Sequence, residues 1–379
     1  MKIIKLLSLV AFVTSVAIIS SCDKDNKEDE NSYQPTTYAD LSANGTANCY
    51  LISEVGGYKF KTVRGNTSVS VGNVAEASVL WESFGTDVKP NVGDLISSVL
   101  YKDGYIFFAT RNTFAQGNAV ISAKDNNGTI LWSWHIWCSA EGWKEQEYFN
   151  NAGTMMDRNL GALSATPGDA GALGLFYQWG RKDPFLGSSS ISSNIQAVST
   201  GTWSLSTSPI THTNGIEYPT TFYGTPSGYH YENSLPNDSW NENKTEYDPC
   251  PAGWRIPDYD VWRKALDLKS GHTILNDDGT TTIIEGKDCD IEWDKEKKGI
   301  PLGGKLGSSL NIWYPASGSL DGYFEESGHL LISVGGVVAT HDSYSRSYVG
   351  DDSISAGGHM SSHQPFRADG GYAVRCLKE

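Results

Sequence analysis

The chain has 379 residues, 39% of them hydrophobic, and a formal net charge of −15. That length predicts two domains, each with a core of its own. A chain this acidic repels nucleic acid and anionic lipid, which excludes both as partners held by its overall charge. With 40 Gly, 19 Tyr and 12 Trp, the composition leans towards β-structure and loops.

In chain order, the first element is an export signal. Lys2 and Lys5 precede an apolar run from Leu6 to Ile19. The run is too short and wrongly flanked for a membrane span, and has the form of a secretory h-region. It ends in Ile19-Ser20-Ser21-Cys22. Small residues before a cysteine at this place resemble the lipobox of bacterial lipoproteins. The resemblance implies a signal peptide over 1–21, cleavage before Cys22 and acylation of Cys22 as the membrane anchor. An ordinary signal peptide with an incidental cysteine is the other reading. Loss of Lys2 and Lys5 takes the mature charge to about −17.

Residues 22–40 carry DKDNKEDEN (23–31) and then Ser, Gln, Pro and Thr. Such a stretch cannot bury a core and reads as an acidic, disordered tether. Its acidity is similar to the sorting signals that send lipoproteins of the Bacteroidota to the cell surface; a plain spacer would look the same. The expectation is an outer-membrane lipoprotein, surface-exposed, touching the membrane through its lipid alone.

From 41 to 140 apolar runs alternate with turn signals at sandwich spacing. The runs are TANCYLI (46–52), YKFKTV (58–63), TSVSV (67–71), ASVLWE (77–82), ISSVLY (96–101), YIFFAT (105–110), NAVISA (118–123) and TILWSWHIW (129–137). Asp103-Gly104 and Asp125-Asn126-Asn127-Gly128 supply hairpin turns, since Asn and Gly tolerate positive φ. The pattern predicts an all-β sandwich of about eight strands. In the last run Trp132, Trp134 and Ile136 share one face and Leu131, Ser133, His135 and Trp137 the other, which suits a central strand with His135 as a hydrogen-bonded core residue. ANCYLI, GYKF, VRGN and GNAVISAKDNNGTILWSWHIW resemble the fimbrillin-like or immunoglobulin-like β-domain of Bacteroidota surface lipoproteins.

The second half, 148–379, follows a polar connection (141–147). Ala172 to Arg181 reads as a short amphipathic helix stopped by Pro184. A second helix is expected after Pro257, with Asp258 as N-cap and Val261, Trp262, Ala265 and Leu266 as its stripe. Thr273–Leu275 and Thr280–Ile284 read as a hairpin around Asp277-Asp278-Gly279. These elements predict an α+β fold. MMDRNLGA (155–162), GLFYQWGRKDPF (174–185), DPCPAGWRIP (248–257), IWYPASG (312–318) and GYAVRC (371–376) closely resemble, in this order, the Fibrobacter succinogenes major paralogous domain, a C-type-lectin-like fold related to formylglycine-generating enzymes. The resemblance implies a Cys250–Cys376 disulfide, which would close a loop of about 126 residues worth about 4–5 kcal/mol in the chain-entropy model. Cys49 and Cys138 are equally compatible with a second disulfide and with two buried thiols, and Cys289 has no assigned partner.

No nucleophile, phosphate-binding or metalloprotease motif is present. His359 and His363 sit in a Gly- and Pro-flanked loop rather than on a helix, and Asp351-Asp352 and Asp342 read as solvated loop carboxylates, so neither a metal nor another cofactor is expected. Neither Cys289 nor Cys376 lies in the redox-cysteine motif of formylglycine-generating enzymes, so no catalytic residues are assigned and the chain is not expected to be an enzyme. An insertion over 186–247 sets Trp203, Tyr223, Tyr229, Tyr231 and Trp240 among small polar residues. Such rings are candidate ligand contacts for a glycan or surface protein, or a satellite core under the loop. The first functional reading is therefore an adhesion module binding through its lectin-like half. The second is an accessory or tip subunit among fimbrial subunits, with Arg64 of VRGN as a processing site.

Overall fold

Residues 129–137 set large apolar side chains in both registers of one strand, so that strand needs cover on both faces. The computed structural model supplies it. The structure describes residues 35–148, 151–187, 197–200, 203–224, 235–236, 239–257, 261, 273–275, 281–283, 296–297, 299–303, 311–315, 317, 335–339, 346–351, 358–361 and 370–379.

The first eight strands are β1 (Ala39–Asp40), β2 (Cys49–Ile52), β3 (Gly57–Lys61), β4 (Glu76–Ser83), β5 (Ile96–Lys102), β6 (Tyr105–Thr110), β7 (Gly117–Lys124) and β8 (Ile130–Cys138). They form two four-stranded sheets, β1-β3-β6-β5 and β2-β8-β7-β4. The β1–β3 and β2–β8 pairings are parallel and the others antiparallel. Both expected hairpin turns are built: Asp103 and Gly104 adopt φ of 50° and 78° between β5 and β6, and Gly128 adopts 81° between β7 and β8. Asp125 Oδ1 accepts the N–H of Asn127 and Thr129, fixing the second turn. TSVSV is not a strand. Asn66, at φ 63°, folds 62–71 back on itself, leaving a single Val63–Ser70 bridge and an Arg64 N–H to Val69 C=O bond.

Facing sides of the two sheets enclose one core: Tyr58, Phe60, Ile106 and Phe108 meet Tyr50, Ala119, Ile121, Trp132, Trp134 and Ile136. The opposite side of β2-β8-β7-β4 carries Cys49, Trp81, Val120 and Trp137, and these belong to a second core shared with Met156, Leu160, Leu175, Tyr177, Trp179, Trp240, Cys250 and Cys376. β8 is therefore buried on both faces, as its sequence demands. Asn31–Glu379 make up one compact unit.

The second half begins with β9 (Glu145–Tyr148), lying in the polar connection, and continues with β10 (Gly153–Met156), β11 (Phe176–Gln178), β12 (Pro184–Phe185), β13 (Ser204–Ser206), α1 (His212–Glu217), β14 (Thr221–Tyr223) and β15 (Trp254–Arg255). Beyond these come β16 (Thr273–Leu275), β17 (Thr281–Ile283), β18 (Gly299–Gly303), β19 (Asn311–Pro315), β20 (Gly335–Ala339), β21 (Arg346–Asp351), β22 (Gly358–Ser361), β23 (Gly371–Ala373) and β24 (Leu377–Lys378). β15-β24-β10-β9 form one sheet and β12-β11-β23 another, so the last strand, β24, lies between β15 and β10, the second strand of this half. The expected hairpin is present, Thr273 opposing Ile283. Strand dominates throughout, and α1 is the only α-helix whose bounds are described.

The helix expected over 172–181 is absent. A 3-10 turn (Ala170–Ala172) is followed by β11, because Gly174 and Gly180 adopt φ of 75° and 77°. A Cβ on Gly174 would stand 2.9 Å from Cβ of Asn159. Left-handed backbone at both positions breaks a right-handed helix and admits glycine alone at low strain. His359, expected in a loop, lies on β22. Of the helix expected after Pro257, only Val261 is described, at a helical position and buried; Asp258, Trp262, Ala265 and Leu266 lie outside the described residues.

Candidate functional site

The groups able to do chemistry converge on the seam between β8 and the second half. The outward face of β8 brings Ser133 and His135 towards segment 177–183. Lys182 Nζ donates to Ser133 Oγ at 2.6 Å, Ser133 C=O at 3.1 Å and Asp183 Oδ1 at 2.7 Å. Ser133 Oγ donates to the same carboxylate oxygen at 2.5 Å, and the ammonium lies 4.6 Å from the Trp132 ring centroid. Burial pushes the Lys182 amine below its ordinary value, opposed by the adjacent Asp183. A hydroxyl, an amine and a carboxylate in contact resemble a nucleophile with its base. All three residues are buried, however, and these hydrogen bonds run within the trio or to backbone, so they act as a buried ion pair and hydrogen-bond knot.

One strand position further, the network fixes a tautomer. Asn118 Nδ2 donates to Gly161 C=O at 2.9 Å, which turns Oδ1 towards His135 Nε2, also at 2.9 Å. Nε2 must carry the proton, leaving Nδ1 to accept from the Tyr177 hydroxyl at 3.2 Å. Burial lowers the imidazole from its ordinary 6.5 to about 3, so the ring is neutral. His135 is thus the hydrogen-bonded core residue that its strand position predicts.

The segment before Cys250 is clasped in the same way. Asn48 Nδ2 donates to the C=O groups of Glu246 and Asp248 at 2.7 and 2.9 Å, while its Oδ1 accepts Trp132 Nε1–H at 2.9 Å. Lys244 Nζ donates to Asp248 Oδ1 at 3.2 Å and to the C=O groups of Cys250, Pro251 and Trp254. Asp248 also accepts the N–H groups of Cys250 and Ile256. Arg64, the candidate processing site, pairs with Glu246 at 3.0 Å.

The disulfide Cys250–Cys376 is formed, with Cα atoms 6.0 Å apart. Cys49 and Cys138 are free and buried. They stand on opposite faces of one sheet, one in each core, which no disulfide can span. Burial raises both thiols, making them poor nucleophiles. Cys22 and Cys289 lie outside the described residues.

Of the insertion aromatics, read either as ligand contacts or as a satellite core, Trp203, Tyr223 and Trp240 are described. Trp240 is fully buried, donates Nε1–H to Tyr247 C=O and lies 6.3 Å from the Trp179 ring. Tyr223 is buried with its backbone bound on both sides to Gln178. Trp203 is half-buried between Trp81 and Phe185, 5.7 and 5.5 Å away. Arg181 holds the 203–224 part of the insertion in place. Its guanidinium donates to Gln178 Oε1 and to the C=O groups of Thr221, Gly215 and Tyr218, pinning 203–224 onto the fold. Tyr223, Trp240 and half-buried Trp203 pack in the satellite core, the second of the two readings, while Tyr218 of the same insertion is 55% exposed. Tyr229 and Tyr231 lie outside the described residues, as do Asp342, Asp352 and His363.

Sequence reasoning overlooked Asn48, Glu82, Lys182, Asp183, Lys244 and Arg375. Arg375 donates to Trp313 C=O and Asn159 Oδ1, with its guanidinium 3.9 Å from the Tyr314 ring. Glu82 accepts the N–H groups of Gly93, Leu95 and Ile96. The signal for four of the six was charge inside otherwise apolar motifs, as in GRKDPF and GYAVRC. Among the described residues no group of three or more His, Cys, Asp or Glu side chains could hold a metal ion. No family model, curated protein or solved structure matches the chain.

Proposed function

We propose that this chain is an outer-membrane lipoprotein, displayed at the cell surface through an acylated Cys22, whose C-terminal half is a lectin-like, non-catalytic module that binds a glycan or a surface protein. The observation that carries the lectin-like part is how the second half closes. Its last strand, β24, lies beside β10, and Cys376 just before it is bonded to Cys250 just before β15. The five motifs that carry the resemblance also meet inside it: Asn159 bonds Ser317 and Arg375, β11 pairs with β23, and Cys250 is joined to Cys376. The strand order β3-β6-β5 against β4-β7-β8 supports an immunoglobulin-like first half, since it is the B-E-D and C-F-G order of that Greek key. Burial of the seam chemistry supports a binding role over a catalytic one.

Two measurements test this. Labelled fatty acid should enter the wild type and not Cys22→Ala, and proteinase should remove the chain from intact cells; an unlabelled or protected chain overturns the anchoring. Soluble mature protein carrying Cys22→Ser should be retained on mucin or a glycan panel. Absence of retention there and on surface-protein extracts overturns the binding role.

A further inference from the structure

The outer face of sheet β1-β3-β6-β5 points away from the sandwich core. The register sets Lys59, Phe107 and Leu100 in one cross-strand row and Lys61, Tyr105 and Lys102 in the next. Asp40 of β1 stands beside Lys59 in the first row, and Tyr38 flanks the face with its ring edge-on to Phe107 at 5.1 Å. Lys59 Nζ lies 4.9 Å from the Tyr105 centroid and 5.8 Å from that of Phe107. None of these side chains belongs to the sandwich core, and Leu100 is 58% exposed. No described carboxylate forms an ion pair with Lys59, Lys61 or Lys102.

We propose that this face is a binding platform for a carboxylated glycan, one bearing uronic or sialic acid. Two aromatic rings in adjacent rows offer flat apolar surface to the C–H face of a pyranose, and the flanking ammonium groups reach its carboxylate. Three strands by two rows span about 10 Å by 7 Å, the footprint of one or two sugar rings. An overall charge of −15 does not forbid an anionic ligand here. Charges beyond a Debye length of about 8 Å are screened at physiological salt, so the nearby lysines set the local potential. The carboxylates at the array are Asp40, in the row of Lys59 with its side chain accepting Ser42 N–H and Oγ–H, and Asp103 in the β5–β6 turn. The platform lies on the sandwich and does not rest on the lectin-like reading of the other half.

The test uses the full mature chain with Cys22→Ser and polygalacturonate as probe. Dextran serves as a neutral sugar, polyglutamate as carboxylate without sugar, and phosphatidylglycerol vesicles as an anionic surface. Polygalacturonate should bind more tightly than all three and protect Lys59, Lys61 and Lys102 from acetylation, a readout that needs no variant. Tyr105→Thr with Phe107→Thr, and separately Lys59→Thr with Lys102→Thr, should each weaken binding about tenfold while threonine keeps the strands. No binding, no lysine protection, equal binding of polyglutamate or vesicles, or indifference to the aromatic pair each overturns the proposal. Glycan retention that survives both double variants would place the ligand elsewhere, defeating this platform and sparing the lectin-like reading.

Discussion

His135 offers the sharpest test of the seam. Its imidazole is held neutral, with its pKa lowered from 6.5 to about 3 by burial. The unfolded chain takes up this proton and the folded chain does not, so stability is full above pH 6.5 and falls as pH drops towards 3. Each unit of pKa difference corresponds to about 1.4 kcal/mol, so between pH 7 and pH 4 this residue alone removes about 3 kcal/mol. In His135→Leu the proton uptake vanishes, but Asn118 Oδ1 and the Tyr177 hydroxyl lose their partner inside the core. At pH 7 the variant should be less stable by about 2–4 kcal/mol, from two buried polar groups left unpaired. Urea unfolding across the pH range measures both effects. The gap between wild type and variant should shrink by about 3 kcal/mol as pH falls to 4. Parallel pH profiles, or an imidazole that titrates near 6.5 in the folded protein, would refute the assignment of a neutral, doubly bonded ring.

Four further outcomes follow from named contacts. Trp240→Ala should cost about 3–5 kcal/mol in thermal or urea unfolding because the ring is wholly buried, while any glycan retention per folded molecule stays unchanged. Lys182→Met should destabilise by about 3–5 kcal/mol by stranding Asp183 and Ser133, and Lys182→Met with Asp183→Leu should recover part of that loss. Cys250→Ser with Cys376→Ser should lose about 4–5 kcal/mol through the freed 126-residue loop, read as a lower urea midpoint. Gly174→Ala should lower the melting temperature, since φ of 75° and the Asn159 contact both oppose a Cβ.

Elements whose signal is local were legible in the residue order. Seven of the eight runs in the first half became strands because alternation and Asp-Gly or Asn-Gly turns act within a few residues of themselves. The two-faced apolar pattern of β8 announced a central strand without saying what would cover its outer face. The misreadings had local patterns too, but the deciding force came from elsewhere. Ala172 to Arg181 has helical spacing, yet Gly174 must pass close to Asn159, fifteen residues earlier, and adopts a backbone that no helix allows. The insertion rings look like a contact surface in one dimension. Trp203 and Tyr223 join a core where the Arg181 guanidinium gathers the carbonyl oxygens of 215–221, and Trp240 where it meets Trp179 and Tyr247 C=O.

The residue order alone thus established strand after strand of the sandwich, the buried state of His135 and, through resemblance, the pairing of Cys250 with Cys376. Folding in three dimensions decided the rest: which strand face meets the second half, that Cys49 and Cys138 stand apart, and that Lys59, Lys61, Lys102, Tyr105 and Phe107 form one array. The division has a physical cause. Backbone conformation answers to neighbours a few residues away, whereas burial and the company a side chain keeps depend on segments that approach only when apolar surface leaves water.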